Sequence, residues 1–480
     1  MPPDLADICR EFRLLESYSG LESAHRLVFL PKDEDELRTV FRYAGDFGRR
    51  ITLHGGGHSF DAQSIGDDLV VSLERRNAVD PQPDGTVVVG PGATWGAIFK
   101  NLALEGMVPA STVTTRHATA AGTLSGNCLS RFSPVWGKEG KHVRSFRLMT
   151  PDGRTHVCTR PPDRKPPARW NRGERLFMAA IGGLGYIGAF LEITFEAIVE
   201  VPRPIRVKTT TETFEGFDLL EERLRERVPR LPDARKEHLA DAVYGAVPGA
   251  GDDERFVRFR SSYTTGCGPP LILYEPDLAI RPIVEWLMRD RRCNELIWAA
   301  AFGLFGLRTT YVNNLEGYTF FMDGNVKAKE WARCFGVRLK TLQQTYIVPV
   351  GRLTQWMRHA RGVFHTHDVT PTLQDVMYLP QDLRFYLSST SRAAGFAVSY
   401  AFDTSEEGEL KRVTEAFVEL SDTLLHKPYE GRLYLVKNVR ANRATINAMY
   451  GDDLARFRSV KAEGDPDGIL RNGFYDRVLA

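Results

Sequence analysis

Two rhythms of apolar and polar positions run along this chain. Over Asp33–Phe47 (DEDELRTVFRYAGDF) apolar residues recur at helical spacing behind an acidic first turn, which predicts a helix. Arg50–Leu53 (RITL), Leu69–Leu73 (LVVSL) and Thr86–Val89 (TVVV) are short apolar runs bounded by Pro, Asp and Gly, and read as strands. Thr94–Glu105 and Glu174–Ile181 return to the helical pattern, and Ala189–Ile198 (AFLEITFEAI) reads as a strand. Pro161–Arg172 (PPDRKPPARWNR) reads as an exposed loop. Val201-Pro202-Arg203-Pro204 punctuates the chain, and from about 206 to 429 the segments become longer, more charged and poorer in glycine turns. Arg432–Val436 (RLYLV) reads as a strand, with a helical stretch after Ala441.

Composition acts mainly by exclusion. The 480 residues carry 63 Lys+Arg against 61 Asp+Glu, a net charge of +2, so no concentrated basic charge points to nucleic acid. Hydrophobic residues make up 42%, an ordinary globular share that rules out global disorder. The longest apolar run, Leu296–Leu307 (LIWAAAFGLFGL), is far short of the roughly 20 residues a spanning helix needs. It suits a buried helix, with peripheral contact to a membrane or lipid as the alternative. MPPDLADICREFRLLESYSG has no basic stretch followed by an apolar one, so no signal peptide is expected. The 6 cysteines are scattered with no Cys-x-x-Cys, which suits a reducing, cytoplasmic setting. His365-Thr366-His367-Asp368 reads as loop furniture, and no metal is expected.

The chemistry gathers in small-residue segments. Gly183-Leu184-Gly185-Tyr186-Ile187-Gly188 is a literal GxGxxG, but a helical pattern precedes it and a strand follows. A dinucleotide fingerprint needs the opposite order, so that reading fails on context. The loop His54-Gly55-Gly56-Gly57-His58-Ser59 follows a strand, and its three glycines would let backbone N–H groups converge on an anion without Cβ obstruction. A tight turn explains the same loop equally well. His117–Asn127 (HATAAGTLSGN) would let backbone approach a flat ligand closely, or form an ordinary turn. Taken together, the three segments suit one large elongated cofactor.

Leu30-Pro31-Lys32, RRITLHGGGHSF, VVVGPGATWGAIFKNL, the His117–Asn127 stretch and AAIGGLGYIGAFLEITFE, in that order and spacing, resemble the vanillyl-alcohol oxidase/PCMH-type FAD-binding fold over about residues 25–200. Two branches stand out. HGGGHSFDAQS is similar to the sugar-1,4-lactone and alditol oxidases. GKHVRSFRLMTPDG, TLQQTYIVP and RLYLVKNVRANRATINAMY resemble the decaprenylphosphoryl-ribose 2-oxidases, nearly to the C-terminus. The implied fold is α+β. An FAD-binding domain of two α/β subdomains spans 1–205, a substrate domain with an antiparallel sheet flanked by helices spans 206–429, and 430–480 returns to the FAD domain. The implied activity is oxidation of a CH–OH group of a sugar, polyol or sugar-containing metabolite, either by lactone or alditol oxidation or by a ribose-oxidase-like epimerase half-reaction. Oxygen or another acceptor would take the electrons. A non-catalytic binding module on the same fold is the competing class.

The resemblance also implies roles for particular residues. Gly55, Gly56, Gly57, His58 and Ser59 would hold the FAD pyrophosphate, with Leu53, His54 and Phe60 bracketing them. Thr114, Thr119, Gly122, Gly126 and Asn127 would face the cofactor, and Phe190 its adenine side. His58 sits where lactone and alditol oxidases attach the flavin covalently, whereas the ribose oxidases bind FAD non-covalently; a merely hydrogen-bonding histidine is the alternative. Thr114-Thr115-Arg116-His117 lacks the cysteine of bicovalent relatives. Tyr434 and Lys437 match flavin- and substrate-proximal residues, the lysine stabilising negative charge that develops on the reduced flavin. Gln343 is retained. An active-site histidine, a cysteine, a lysine and a glutamine of the ribose oxidases fall at Leu129, Ser399, Tyr378 and Thr345. The flavin apparatus is kept and the substrate pocket rewritten, which implies a related reaction on a different substrate.

Overall fold

The structure is a computed structural model that describes residues 3–196, 198–200, 206–225, 239–246, 254–271, 291–307, 310–334 and 340–480, together with the single positions 283, 287, 336 and 338. The Pro-rich punctuation at 201–204 lies outside the described residues. Strands Arg10–Glu16 (β1), Ser23–Phe29 (β2), Ile51–His54 (β3) and Leu69–Ser72 (β4) form a sheet of order β1-β2-β4-β3. Its inner pairs β2/β4 and β3/β4 are parallel. Helix Glu34–Asp46 (α1) links β2 to β3. Asp33 caps it by accepting from the N–H groups of Asp35 and Glu36 at 3.1 and 2.9 Å, and Glu34, Asp35 and Glu36 complement the helix dipole. Its buried face is Leu37, Val40, Phe41 and Ala44, a helical spacing that sets it against the sheet.

Val79–Pro81 (β5) and Val87–Val89 (β6) begin a second sheet, and Met107–Pro109 (β7) stands apart from it. Val143–Met149 (β8), Thr155–Thr159 (β9) and Ala189–Phe195 (β10) complete the second sheet, which is antiparallel with order β5-β6-β10-β8-β9. The single strand expected over Ala189–Ile198 is two: β10 stops at Phe195, and Ile198–Glu200 (β11) pairs with β7. Helices Trp95–Leu104 (α2), Ala120–Gly126 (α3) and Arg172–Ala180 (α4) complete this part of the chain.

Beyond residue 205 eight strands join in one antiparallel sheet: Arg206–Glu215 (β12), Ala240–Ala246 (β13), Arg255–Thr264 (β14), Thr310–Asn314 (β15), Lys340–Pro349 (β16), Leu373–Leu379 (β17), Gly395–Thr404 (β18) and Arg432–Leu433 (β19). Their order is β15-β12-β14-β13-β17-β18-β16-β19. Successive side chains alternate between its faces. One face buries Gln344, Tyr346, Tyr400 and Phe402 beneath helices Leu353–Thr366 and Glu407–Leu425. The other carries Ile347, Leu379 and Ala397 against Leu129, Tyr434 and Val436. The strand expected over Arg432–Val436 ends at Leu433, because Tyr434–Asn438 leaves the sheet to cross toward the glycine loop. The chain then returns to the first sheet, where Ile51 bridges Leu470.

Arg291–Leu307 is a helix, but it is not the buried one expected. It lies over β12 and β14 on one side, tucking in Phe305 and leaving Leu296 and Leu304 71% and 45% exposed. Among the described residues no helix is long and apolar enough to cross a membrane. In the segment His365–Asp368, His367 hydrogen-bonds Glu419 at 2.9 Å.

A buried cluster ties the two ends of α3 and β17 together. Lys138 pairs with Asp382 at 2.9 Å and donates to Ser388 at 2.6 Å, and Asn127 donates to the same carboxylate at 2.6 Å. Removing the anion strands a buried ammonium, so Asp382→Ala is expected to lower stability by about 3–5 kcal/mol. Chemical denaturation of the purified protein measures it.

Candidate functional site

The glycine loop follows directly from β3. His54 Nδ1 meets the Ser64 carbonyl at 2.8 Å, and burial lowers the His54 pKa, which keeps the imidazole neutral. Gly57 has φ +74°, a conformation that glycine adopts without strain. The second small-residue stretch is pinned by Trp95 N–H to Ala118 O at 3.0 Å and Ala120 N–H to Ala93 O at 2.8 Å. Thr119 caps α3 through Gly122 N–H at 3.3 Å. The two backbones then meet: a Cβ on Gly55 would lie 2.7 Å from Thr119 Oγ1, and one on Gly56 would overlap the His117 carbonyl oxygen. The third stretch hooks onto the second through Leu184 N–H to Ser125 O at 2.8 Å and Gly182 N–H to Leu124 O at 3.1 Å.

The three segments line one cavity of about 240 Å³. Leu53, His54, Gly55, Gly56, Gly57, His58, Ser59 and Phe60 line it from the loop after β3; Thr114, Thr119, Gly122 and Gly126 line it from the second stretch; and Phe190 lines it from β10. Asn127 is not in the wall. It is a left-handed cap at φ 45° whose amide donates to Asp382 and whose carbonyl accepts from Gly140 N–H at 3.0 Å. Sequence reasoning missed Pro91 and Gly92, which follow β6, and Met322 and Val326, which belong to a distant segment. Among the described residues the N–H groups of Gly56, Gly57 and His58 find no acceptor, so the loop presents unpaired donors suited to a bound anion. His58 stacks on His117 at 6.3 Å between centroids and lies 5.9 Å from the Tyr18 ring. Burial first, and the neighbouring His117 second, push its pKa down to about 4.

Tyr434 and Lys437 also line the cavity. Tyr434 O–H accepts from Leu129 N–H at 3.1 Å, and Tyr434 N–H donates to Thr345 O at 3.0 Å. Burial drives the phenol pKa well up, so this hydroxyl is a pin and a poor base. Lys437 Nζ lies 3.7 Å from the centroid of the Phe60 ring. Burial pushes its pKa down to about 8 against the attraction of Asp375. Cys128 lies beside them, a thiol that burial pushes up to about 12. The Gly126 backbone packs against Val436, so helix α3 and the Lys437 segment share one wall.

The large sheet supplies a polar layer next to Lys437. Gln343 Nε2 donates to Ser399 Oγ at 2.8 Å, and Thr345 Oγ1 lies 2.9 Å from the same atom. Thr345 and Asp375 are the cross-strand partners of Ser399, so all three share its face. Tyr378 does not. It lies three residues beyond Asp375 on β17, an odd offset that turns it to the other face, 6.0 Å from Phe396. The substrate-facing role expected for Tyr378 is therefore corrected; Asp375 is the residue of β17 that meets Ser399.

The FAD binding domain family matches residues 25–159 of this chain. The chain is 29% identical to decaprenylphosphoryl-beta-D-ribose oxidase of Mycolicibacterium smegmatis, over 92% of this chain and 92% of that protein. It is 23% identical to cytokinin dehydrogenase 5 of Arabidopsis thaliana, over 98% of this chain and 87% of the relative. A D-arabinono-1,4-lactone oxidase of Eremothecium gossypii is 25% identical over 41% of this chain and 36% of its own length. Residues 25–159 carry a PCMH-type FAD-binding domain, and the chain is an FAD-dependent oxidoreductase. FAD is its cofactor, and the free donors of the glycine loop fit its pyrophosphate.

The backbone approach at Gly56 carries a test. Gly56→Ala forces the loop away from the His117 carbonyl, and FAD affinity is expected to fall at least about tenfold, the equivalent of 1.4 kcal/mol. Flavin absorbance after dialysis against known FAD concentrations reads it.

Proposed function

We propose that this chain oxidises a CH–OH group of a sugar, a polyol or a sugar-containing metabolite. The observation that carries this reading is the layer of Gln343, Thr345, Ser399 and Asp375 beside Lys437, which offers amide, hydroxyl and carboxylate groups to a polyhydroxylated substrate. Bound FAD supplies the two-electron acceptor. Gly55–Ser59 hold its pyrophosphate through backbone N–H groups, while Thr119, Gly122 and Gly126 flank the cavity where α3 begins and ends. Phe190 lies toward the adenine end. Lys437, held over Phe60, places a positive charge where negative charge develops during reduction. Oxygen or another acceptor then takes the electrons.

His58 is the attachment point for a covalent flavin in this reading. Its low pKa leaves the imidazole neutral at pH 7, with the ring lone pair that bond formation requires. A substrate of the cytokinin kind is the second reading, favoured by the likeness to cytokinin dehydrogenase 5 along 98% of the chain.

Three outcomes are expected. Anaerobic addition of polyols and sugar lactones bleaches the flavin absorbance, and readmitted air restores it where oxygen is the acceptor. If cytokinins alone bleach it, the CH–OH reading is wrong. Lys437→Ala keeps FAD but slows bleaching at least about 10²-fold, and the wild-type rate falls as pH rises through about 8, where Lys437 loses its proton. Near-normal bleaching by the variant removes the proposed role. Flavin fluorescence stays with the denatured wild-type band on a gel and leaves with His58→Ala; a colourless wild-type band shows that the bond is absent.

A further inference from the structure

An alcohol can release its carbinol hydrogen with the bonding electrons only as its O–H proton is taken away. At the Lys437 end of the cavity the acceptor for that proton has to be a group free to receive it. Tyr434 is unsuited, because its hydroxyl pins Leu129 and its pKa is far above neutrality. Glu139 is engaged by Thr123, from which it accepts at 2.9 Å, and burial raises its pKa well above the ordinary value. The other buried carboxylates among the described residues are held by cations, for example Asp61 by Arg440 and Arg477 at 2.8 and 2.7 Å, Asp241 by Arg258 at 2.6 Å, Asp323 by Arg116 at 2.7 Å, and Asp382 by Lys138 at 2.9 Å. Asp375 differs from all of these. Among the described residues no cation lies within ion-pair distance of it, and its cross-strand partner on the same face of the sheet is Ser399.

We propose that Asp375 is the catalytic base that takes the substrate hydroxyl proton, an inference that rests on the CH–OH reading above. As the carbinol O–H bond breaks, its proton goes to the Asp375 carboxylate and its electron pair forms the C=O bond. The C–H bond breaks at the same carbon, and its electron pair leaves with the hydrogen as hydride, for which FAD is the acceptor. Ser399 has one role in this arrangement. Its hydroxyl accepts from Gln343 and lies 2.9 Å from Thr345 Oγ1, directly across the strand pair from Asp375, so the β16–β18–β17 layer places the carboxylate. Charge around Asp375 comes from every side. Lys437 attracts it from the crossing segment, with Cys128 and Tyr434 next to that lysine and Glu139 behind them. Tyr244 is its cross-strand partner on β13. Burial raises the carboxyl to about 7, with Lys437 and Ser399 opposing, so the base is ionised on the alkaline side of neutrality.

The test uses holoenzyme and two probes, xylitol and D-arabinono-1,4-lactone. Asp375→Asn is expected to keep its full flavin absorbance and to slow anaerobic bleaching at least about 10²-fold. It also loses the rise in rate that the wild type shows through about pH 7, and Asp375→Glu recovers part of the rate together with that rise. Infrared difference spectra of wild type against Asp375→Asn, both with FAD bound, give a readout independent of turnover: a carboxyl that ionises across the neutral range. A variant within threefold of wild type overturns the proposal. So does one that keeps the pH limb, or a carboxyl that stays protonated up to pH 9. Should neither probe bleach the wild type while a cytokinin does, the CH–OH reading falls. The infrared titration then still decides by itself whether Asp375 can act as a base at neutral pH.

Discussion

The buried amide of Asn438 holds the site in one piece. Its backbone N–H donates to Gln343 O at 2.9 Å, its side-chain oxygen accepts from Gln343 N–H at 2.8 Å, and its side-chain nitrogen donates to Phe60 O at 2.9 Å. One residue thus bonds the large sheet to the glycine loop. Gln63 adds longer contacts, at 3.4 Å each, to the carbonyls of Leu435 and Lys437. Lys437 lies immediately before Asn438, so its height above Phe60 is fixed by backbone bonds on both sides. A cation that must meet developing charge gains from being placed in advance, because no reorganisation is then needed during the reaction.

This crossing explains the short last strand. Leu433 is the final residue to pair with β16, and continuing to Val436 would hold Lys437 in the sheet and away from Phe60. The RLYLV pattern shows a strand because its apolar residues are buried. It contains no sign that half of them are buried against a cavity wall instead of a neighbouring strand. The helix Arg291–Leu307 fails for a related reason: an all-apolar run does not reveal how much of its surface the fold covers.

The cofactor side of the site was legible because its signals are local. Three glycines after a strand, a run of small residues and a helix–glycine–strand junction each express a backbone need within a few residues, and the fold brings them to one cavity. Even there Asn127 was misplaced. The same left-handed cap that ends α3 turns its amide toward Asp382, a partner 255 residues away. The substrate side depends on register between strands far apart in sequence. Ser399 and Gln343, which the resemblance points to, share one face of the sheet. Tyr378 was assigned by the same route, and an odd offset is enough to turn a strand residue away. Asp375, an acidic residue in a half-apolar strand, has no local mark, and only its pairing with Ser399 identifies it.

The two halves of the site solve opposite electrostatic problems. At the glycine loop neutral N–H groups would meet a dianionic pyrophosphate, so no basic cluster would be needed and the chain can remain near charge balance. At the other end a lysine and a carboxylate share a poorly hydrated space without closing into an ion pair. Each is shifted toward neutrality by burial, one downward to about 8 and the other upward to about 7. A closed pair such as Lys138–Asp382 would fix both charges and leave neither for chemistry. Held apart, the lysine can answer negative charge on one side of a substrate while the carboxylate accepts a proton on the other. That separation distinguishes a reacting pair from a structural one within the same fold.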